Sequence, residues 1–332
     1  MKSSRQRFVK FVQVLLMMYS SLSIISAHAE DIGSFPSKPI RLIVGFSAGG
    51  ISDVLARALA AKLANNIGQG VIVENKPGAG TTIAADYVAK STPDGYTLFL
   101  QDMTTHAINV GLYKSLPYDA IKDFSPITLV ASTPLMLVIN PNLKINNLKE
   151  FMVFAKSTSK TLAYASSGNG TVPHLAAETF NHMLGIDPVH VPFKGSSPAT
   201  QAVLAGDVGF TFSSMPPALS LVQSKKLIAL GVTTKSRVSA VPDVPTISEA
   251  GLPSYEFVLY NGILGPKGMS PELVKKIHQM FVDVVNSSEM KQVYASIGAD
   301  PITDTPTEFT AHMNQEVIKM VKAVKIAGAH ID

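Results

Sequence analysis

The chain has 332 residues and no cysteine, which excludes disulfides, thiolate metal sites, cysteine nucleophiles and a lipid-modified amino-terminal cysteine. Its 28 Lys and Arg exceed its 24 Asp and Glu by four, and four of the positive charges, Lys2, Arg5, Arg7 and Lys10, lie in the first ten residues. The remainder is formally neutral and holds no basic run with interleaved aromatics, so a nucleic-acid partner is excluded.

Behind that basic start, residues 12–25 are mostly apolar, and Ala27-His28-Ala29 supplies the small residues of a cleavage site. Residues 1–29 therefore read as a secretory signal, with export to the periplasm and a mature chain beginning at Glu30. A membrane anchor is disfavoured because Gln13, Ser20, Ser21 and Ser23 break an apolar run already shorter than the roughly 20 residues that span a bilayer. About 300 residues remain, more than one hydrophobic core usually serves, so two domains are expected.

The first unit, IRLIVGFSAGGISD at residues 40–53, reads as a buried strand, a glycine turn and the start of a helix on which Ile51, Val54, Leu55, Ala58, Leu59 and Leu63 recur at helical spacing. The free N–H groups at such a helix start, together with the positive dipole end, form an anion site without any cationic side chain. Gly45-Phe46-Ser47-Ala48-Gly49 also fits the G-x-S-x-G nucleophile elbow, so an exported serine esterase using Ser47 is the alternative reading. That reading lacks strands upstream of the elbow and an HGGG-type segment, and nothing local singles out Asp243 or His312 as triad partners.

Further along come a strand at 71–75, the turn Pro77-Gly78-Ala79-Gly80, a helix near 82–90 and a strand at 96–100. The apolar passage 127–139 is too long for one ordinary strand and is expected to cross between domains. A second set follows: helix 148–157, strand 161–166, turn Ser167-Gly168-Asn169-Gly170, helix 172–184, strand 189–193, helix 198–205, and strands 208–212 and 228–233. The Pro-rich run 241–245 precedes a strand at 257–264, which is expected to return the chain to the first domain before helices near 272–286, 289–297 and 307–324. Alternating elements predict parallel sheets with helices on both faces and ligands bound at the strand-end loops.

The segments SKPIRLIVGFSAGGISDVLAR, VIVENKPGAGTTIAADYVAKSTPDGYTL, THAINVGLYKSLPYDAIKDFSPITLVA, HVPFKGSSPATQAVLAGDV and VPDVPTISEAG resemble the Bug family of extracytoplasmic solute receptors, the substrate-binding proteins of tripartite tricarboxylate transporters. The resemblance spans residues 36–328. It implies two doubly wound α/β domains with two crossovers, like a type II periplasmic binding protein, with a carboxylated solute held in the cleft between them. The expected domains are residues 30–132 with 254–332, and residues 133–253. It also implies membrane transporter subunits as partners; a monomer without cofactor or metal is expected.

By position, the resemblance places Phe46, Ser47, Ala48, Gly49, Gly50 and Asp53 on the first ligand loop. Ser167, Gly168, Gly170, Thr171 and His174 form the opposing one, and Gly80, Thr81, Thr105 and His106 border the cleft. Ser213 stands where the family commonly has an acidic residue, and Ser47 and Ala48 where it generally has prolines. Tyr260 is a further candidate on the returning strand. Asp53 has a competing role at the helix dipole, and His106 and His174 lack metal-ligand spacing. Neither loop contains Arg or Lys, so backbone amides of 48–50 and 170–171 are expected to hold the acid group, with Gly50 and Gly170 intolerant of larger residues. A dinucleotide site is disfavoured because G-x-G-x-x-G is absent.

Overall fold

The computed structural model describes residues 32–327, so the leader expected at 1–29 lies outside the described residues. In the first domain the apolar β1 (Ile40–Val44) lies between parallel partners β2 (Val71–Asn75) and β3 (Thr97–Asp102), joined through α1 (Ile51–Ile67) and α2 (Thr82–Ala89). The chain then enters α3 (Met103–Leu112) directly from β3.

β4 (Phe124–Ile139) is a single 16-residue strand that serves both domains. Residues 124–134 pair antiparallel with β9 (Val258–Pro266), whereas residues 135–139 run between β7 (Phe210–Ser214) and β8 (Ile228–Val232). The second domain is completed by α4 (Leu148–Ser157), β5 (Ala163–Ser166), α5 (Val172–Leu184), β6 (Val189–Pro192), α6 (Ser196–Ala205) and α7 (Met215–Gln223). After β9, the chain adds α8 (Pro271–Val285), α9 (Ser288–Ile297), the short β10 (Asp300–Pro301) and α10 (Pro306–Ala327).

Strand order through the two halves is β2-β1-β3-β9-β4-β7-β5-β6, with β8 and β10 also pairing with β4. Each half has three parallel strands, but β4 and β9 run antiparallel to their neighbours. The sheets are therefore mixed and not parallel throughout, because β4 and β9 carry the chain across the boundary in opposite directions. The two crossings are fastened at Thr233. Leu135 N donates to its Oγ1 at 2.9 Å, that hydroxyl donates to Phe257 O at 2.6 Å, and Phe257 N donates to Thr233 O at 2.9 Å.

Separate cores sit on the two sides. Ile43, Phe99, Phe124, Leu264 and Phe309 pack in the first, and Met136, Val138, Val203, Met215 and Val232 in the second. α8 illustrates how the pattern is read: Ser270 Oγ accepts from Leu273 N at 3.2 Å to start it, and Leu273, Ile277, Phe281 and Val284 are buried at helical spacing. Each such side chain contributes about 1.5–3 kcal/mol on burial.

Candidate functional site

The first loop is held from behind by α1 and β2. Asp53, almost fully buried, accepts from Gly49 N (2.9 Å), Asn75 Nδ2 (2.9 Å) and Arg57 Nε (3.0 Å), while Asn75 Nδ2 also donates to Phe46 O at 2.9 Å. Burial raises the Asp53 pKa, but the hydrogen bonds from Arg57, Gly49 and Asn75 outweigh it and hold the group below its ordinary value. Both carboxylate oxygens are thus engaged with the protein, and Asp53 shapes the loop instead of facing the cleft. Arg57 is committed to Asp53 and Asn75, and Arg41 forms a two-pronged pair with Glu74.

A comparable lattice supports the second loop. Ser167 Oγ donates to Thr171 Oγ1 at 2.9 Å, Thr171 Oγ1 donates to Gly168 O at 2.7 Å, and Gly168 N donates to Ser166 Oγ at 3.1 Å. Gly170 N donates to His174 Nδ1 at 3.2 Å, and the His174 ring stacks on His190 at 4.1 Å, with His190 Nε2 2.6 Å from Ser166 Oγ. Burial pulls the pKa of both imidazoles down, that of His190 to about 3.

These lattices alter the expected amide set. The donors of Gly49, Gly170 and Thr171 are spent on Asp53, His174 and the Gly168 carbonyl. Four helices nevertheless begin at the cleft with no side-chain cap: α1 after Gly50, α5 after Thr171, α6 after Gly195 and α7 after Ser214. Gly50, Ser52, Pro173, Ser196 and Ser214 from those four starts line one narrow cavity between the domains, only about 20 Å³ in volume in this closed form and with no Lys or Arg in its wall. Four positive dipole ends around one space make a local field that attracts an anion.

A fifth helix, α3, starts on the same wall and is capped. Asp102, fully buried in that lining, accepts from Thr104 N (3.0 Å), Thr105 N (3.2 Å) and Thr105 Oγ1 (2.5 Å). Burial pushes its pKa up to about 7; the threonine bonds oppose the rise and nearby Glu316 adds to it. Around this wall two buried atoms, Ser214 Oγ and Asn261 Oδ1, have no hydrogen-bond partner, and Asn261 Nδ2 donates to Ser52 Oγ at 2.8 Å.

The domains are closed on one another. Ser47 N donates to Lys194 O at 3.0 Å, and Val172 N at the start of α5 donates to Thr105 Oγ1 at 3.3 Å. A second cavity, about 380 Å³ in volume, adjoins the first through Phe46 and Ser167 and is bordered by Gly80, Thr81, Gly168 and Lys194. Its floor is a left-handed turn in which Ala79 (φ 47°), Gly80 (φ 57°) and Thr81 (φ 75°) follow one another. The two non-glycine residues there cost about 1–2 kcal/mol each. Asn109 Nδ2 donating to Gly80 O (2.7 Å) and Gln101 Nε2 donating to Thr81 Oγ1 (2.6 Å) hold it.

Of the expected residues, Phe46, Gly50 and Ser167 line the narrow cavity, and Gly80, Thr81 and Gly168 line the adjoining one. Ser47 Oγ is buried without a partner, while Ala48 is exposed at the loop tip. Four others lie elsewhere. His106 is in the first core, its Nε2 2.9 Å from Ala120 O and its ring stacked on Tyr118; burial lowers its pKa to about 4. His174 is committed to Gly170 N. Ser213 Oγ lies 2.8 Å from Thr200 Oγ1, and Tyr260 packs edge-on against His312 at 5.0 Å. The last two are displaced by one residue of strand register from Ser214 and from Leu259 and Asn261, since alternate side chains point to opposite faces.

Among the described residues no imidazole is bonded to Ser47 Oγ, and the expected triad partners are remote: Asp243 is exposed and His312 faces Tyr260. The nucleophile–base hydrogen bond that an esterase needs is therefore missing.

Residues 55–328 match the model of the tripartite tricarboxylate transporter family receptor. Protein BugT of Bordetella pertussis is 33% identical over 299 residues, covering 90% of this chain and 92% of that protein. The structure of R. palustris Rpa4515 with adipate superposes with a TM-score of 0.86 at 32% identity, over 90% of this chain and 100% of the other. MatC (Rpa3494) from Rhodopseudomonas palustris with bound malate gives 0.83 at 31% identity, over 87% and 100%.

Proposed function

The chain belongs to the tripartite tricarboxylate transporter receptor family, and from that premise we propose that it is an extracytoplasmic receptor which closes around a small carboxylate and presents it to membrane transporter subunits. Receptors of this family are periplasmic, which agrees with the leader read at residues 1–29. The observation that carries the ligand class is the convergence of four uncapped helix starts on one cavity whose wall holds no cationic side chain. Helix-terminal N–H groups and hydroxyls there recognise an acid group without an Arg clamp. The carboxylates bound by the adipate and malate structures are of the same class.

Of the described residues, those of the expected domain 30–132 with 254–332 make one body and 133–253 the other, turning about the two crossings beside Thr233. A ligand touching both bodies favours the closed state because only there are all its contacts made. No catalytic step is assigned, since Ser47 lacks a base, and no cofactor enters the scheme. A thermal-shift screen of the mature protein against carboxylates tests the reading: a ligand at 100 times its Kd raises stability by about 2.7 kcal/mol. Silence with every carboxylate, combined with a response to a neutral sugar or a metal cation, would overturn it.

A further inference from the structure

We infer that the solute carries a hydrogen-bond donor, hydroxyl or ammonium, on the carbon beside its carboxylate, and that Asp102 and Asn261 read this group. The inference rests on the carboxylate reading above and narrows it to 2-hydroxy and 2-amino acids. The cavity wall has two unlike sides. The helix starts of α1, α5, α6 and α7 offer donors, whereas the adjoining ends of β3 and β9 offer acceptors. Asp102 and Asn261 are direct partners in the β3–β9 ladder, so their side chains share a face. Both are completely buried.

Their bonding leaves acceptors on this side. A carboxylate offers about four acceptor positions, and three bonds reach Asp102 from Thr104 and Thr105. Asn261 has its amide nitrogen fixed on Ser52 Oγ, while Oδ1 has no partner. Asp102 and Ser52 line the cavity, and Asn261 stands directly behind them, bonded to Ser52 and paired with Asp102 in the ladder. An acid held by the helix starts and bearing a 2-hydroxyl or 2-ammonium supplies the missing donor. An unsubstituted acid leaves Asn261 Oδ1 unpaired on ligand closure, a loss equivalent to roughly tenfold or more in affinity.

Calorimetry on the mature protein with matched acid triplets tests this: propionate, lactate and alanine; succinate, malate and aspartate; glutarate, 2-hydroxyglutarate and glutamate; 3-phenylpropionate, phenyllactate and phenylalanine. Within any triplet that binds, at least one substituted acid should exceed the unsubstituted one by tenfold or more. Asn261→Leu and Asp102→Asn, the latter keeping a helix-capping side chain, should each reduce that preference to about threefold or less. They should lower affinity for the substituted acids more than for the unsubstituted one, a split that general damage to the fold does not produce. Asp102→Asn should act more strongly on the amino acid, separating ammonium from hydroxyl recognition. Equal binding across a triplet by the wild-type protein overturns this inference while leaving the carboxylate reading intact; failure of every acid overturns both.

Discussion

Gly195 sits at a close approach between the domains. A Cβ placed there would lie 2.3 Å from Ser47 Oγ and 3.2 Å from Ser47 N, and its φ is 151°. Gly195→Ala should therefore push the closed state apart, raising the Kd for the bound carboxylate at least about tenfold. Gly185→Ala is the control: its φ is also positive, at 65°, but a Cβ there meets nothing within 4 Å. It should cost only local strain, on the order of 1 kcal/mol, with unchanged affinity. Equal affinities for the two variants would show that the contact has no part in closure. Gly50 differs from the sequence-based expectation, because a Cβ there meets nothing nearer than Ser47 O at 3.9 Å, whereas one on Gly170 would lie 2.2 Å from Leu112 Cδ2. Only Gly170 has the steric basis for intolerance.

Buried titratable groups give the same protein two opposing pH slopes. Asp102, with its folded pKa raised to about 7, holds a proton that the unfolded chain has released above its ordinary 3.8, so its contribution falls as pH rises between those values. His106 and His190 are held neutral, at about 4 and about 3 against an ordinary 6.5, so their contribution is present above 6.5 and is lost as pH falls below it. Replacing Asp102 with Asn removes the first slope alone. In urea melts the stability of Asp102→Asn relative to wild type should thus be greater at pH 8 than at pH 5. A difference that stays flat with pH would show that burial does not govern the proton on Asp102.

At the scale of elements, Thr233 is where both crossings are fastened. Thr233→Val keeps the shape but strands Leu135 N, and a buried donor left unsatisfied costs about 1–3 kcal/mol. Urea melts should show that loss, and small-angle scattering of the unliganded variant should show a larger fraction of open molecules; an unaltered open fraction would place the hinge elsewhere. The strand–turn–helix units around β1 and β5 were legible because each combines a short apolar strand, paired glycines and helical periodicity. The long run ending at Ile139 was legible as a crossing through its length. Two helices escaped that reading. α3 leaves β3 with no turn residue between them and begins MTTH, a weak helix start by propensity. α7 carries Pro216-Pro217 directly after its first residue, Met215, a pair that reads as a breaker although proline is suited to the first helical turn. Asp102, which caps the first of those starts, and Ser214, which precedes the second without capping it, were missed with them. Ser213 and Tyr260 lie one residue along their strands from the cavity-lining Ser214 and Leu259, a distinction hidden in the sequence because a strand's burial pattern does not by itself say which face meets the cleft.

For the whole molecule, the proposed closure brings together two loops far apart in sequence, and the absence of cysteine allows it to be trapped cleanly. A Cβ on Gly49 would lie 3.6 Å from Ser197 Cβ across the cleft, within the roughly 3.5–4.5 Å spacing of a disulfide. The double variant Gly49→Cys with Ser197→Cys should form the cross-link in mild oxidant, at some strain because Gly49 has φ 85°. Oxidised before ligand is added, the protein should fail to bind, since the narrow cavity admits a solute only as the domains part. Oxidised in the presence of radiolabelled carboxylate, it should retain the label through gel filtration and release it on reduction. Each single-cysteine variant should exchange ligand freely under both conditions. Binding and release at wild-type rates by the fully cross-linked protein would mean that the solute reaches its site without separation of the domains, and the hinge at β4 and β9 would then have no role in capture.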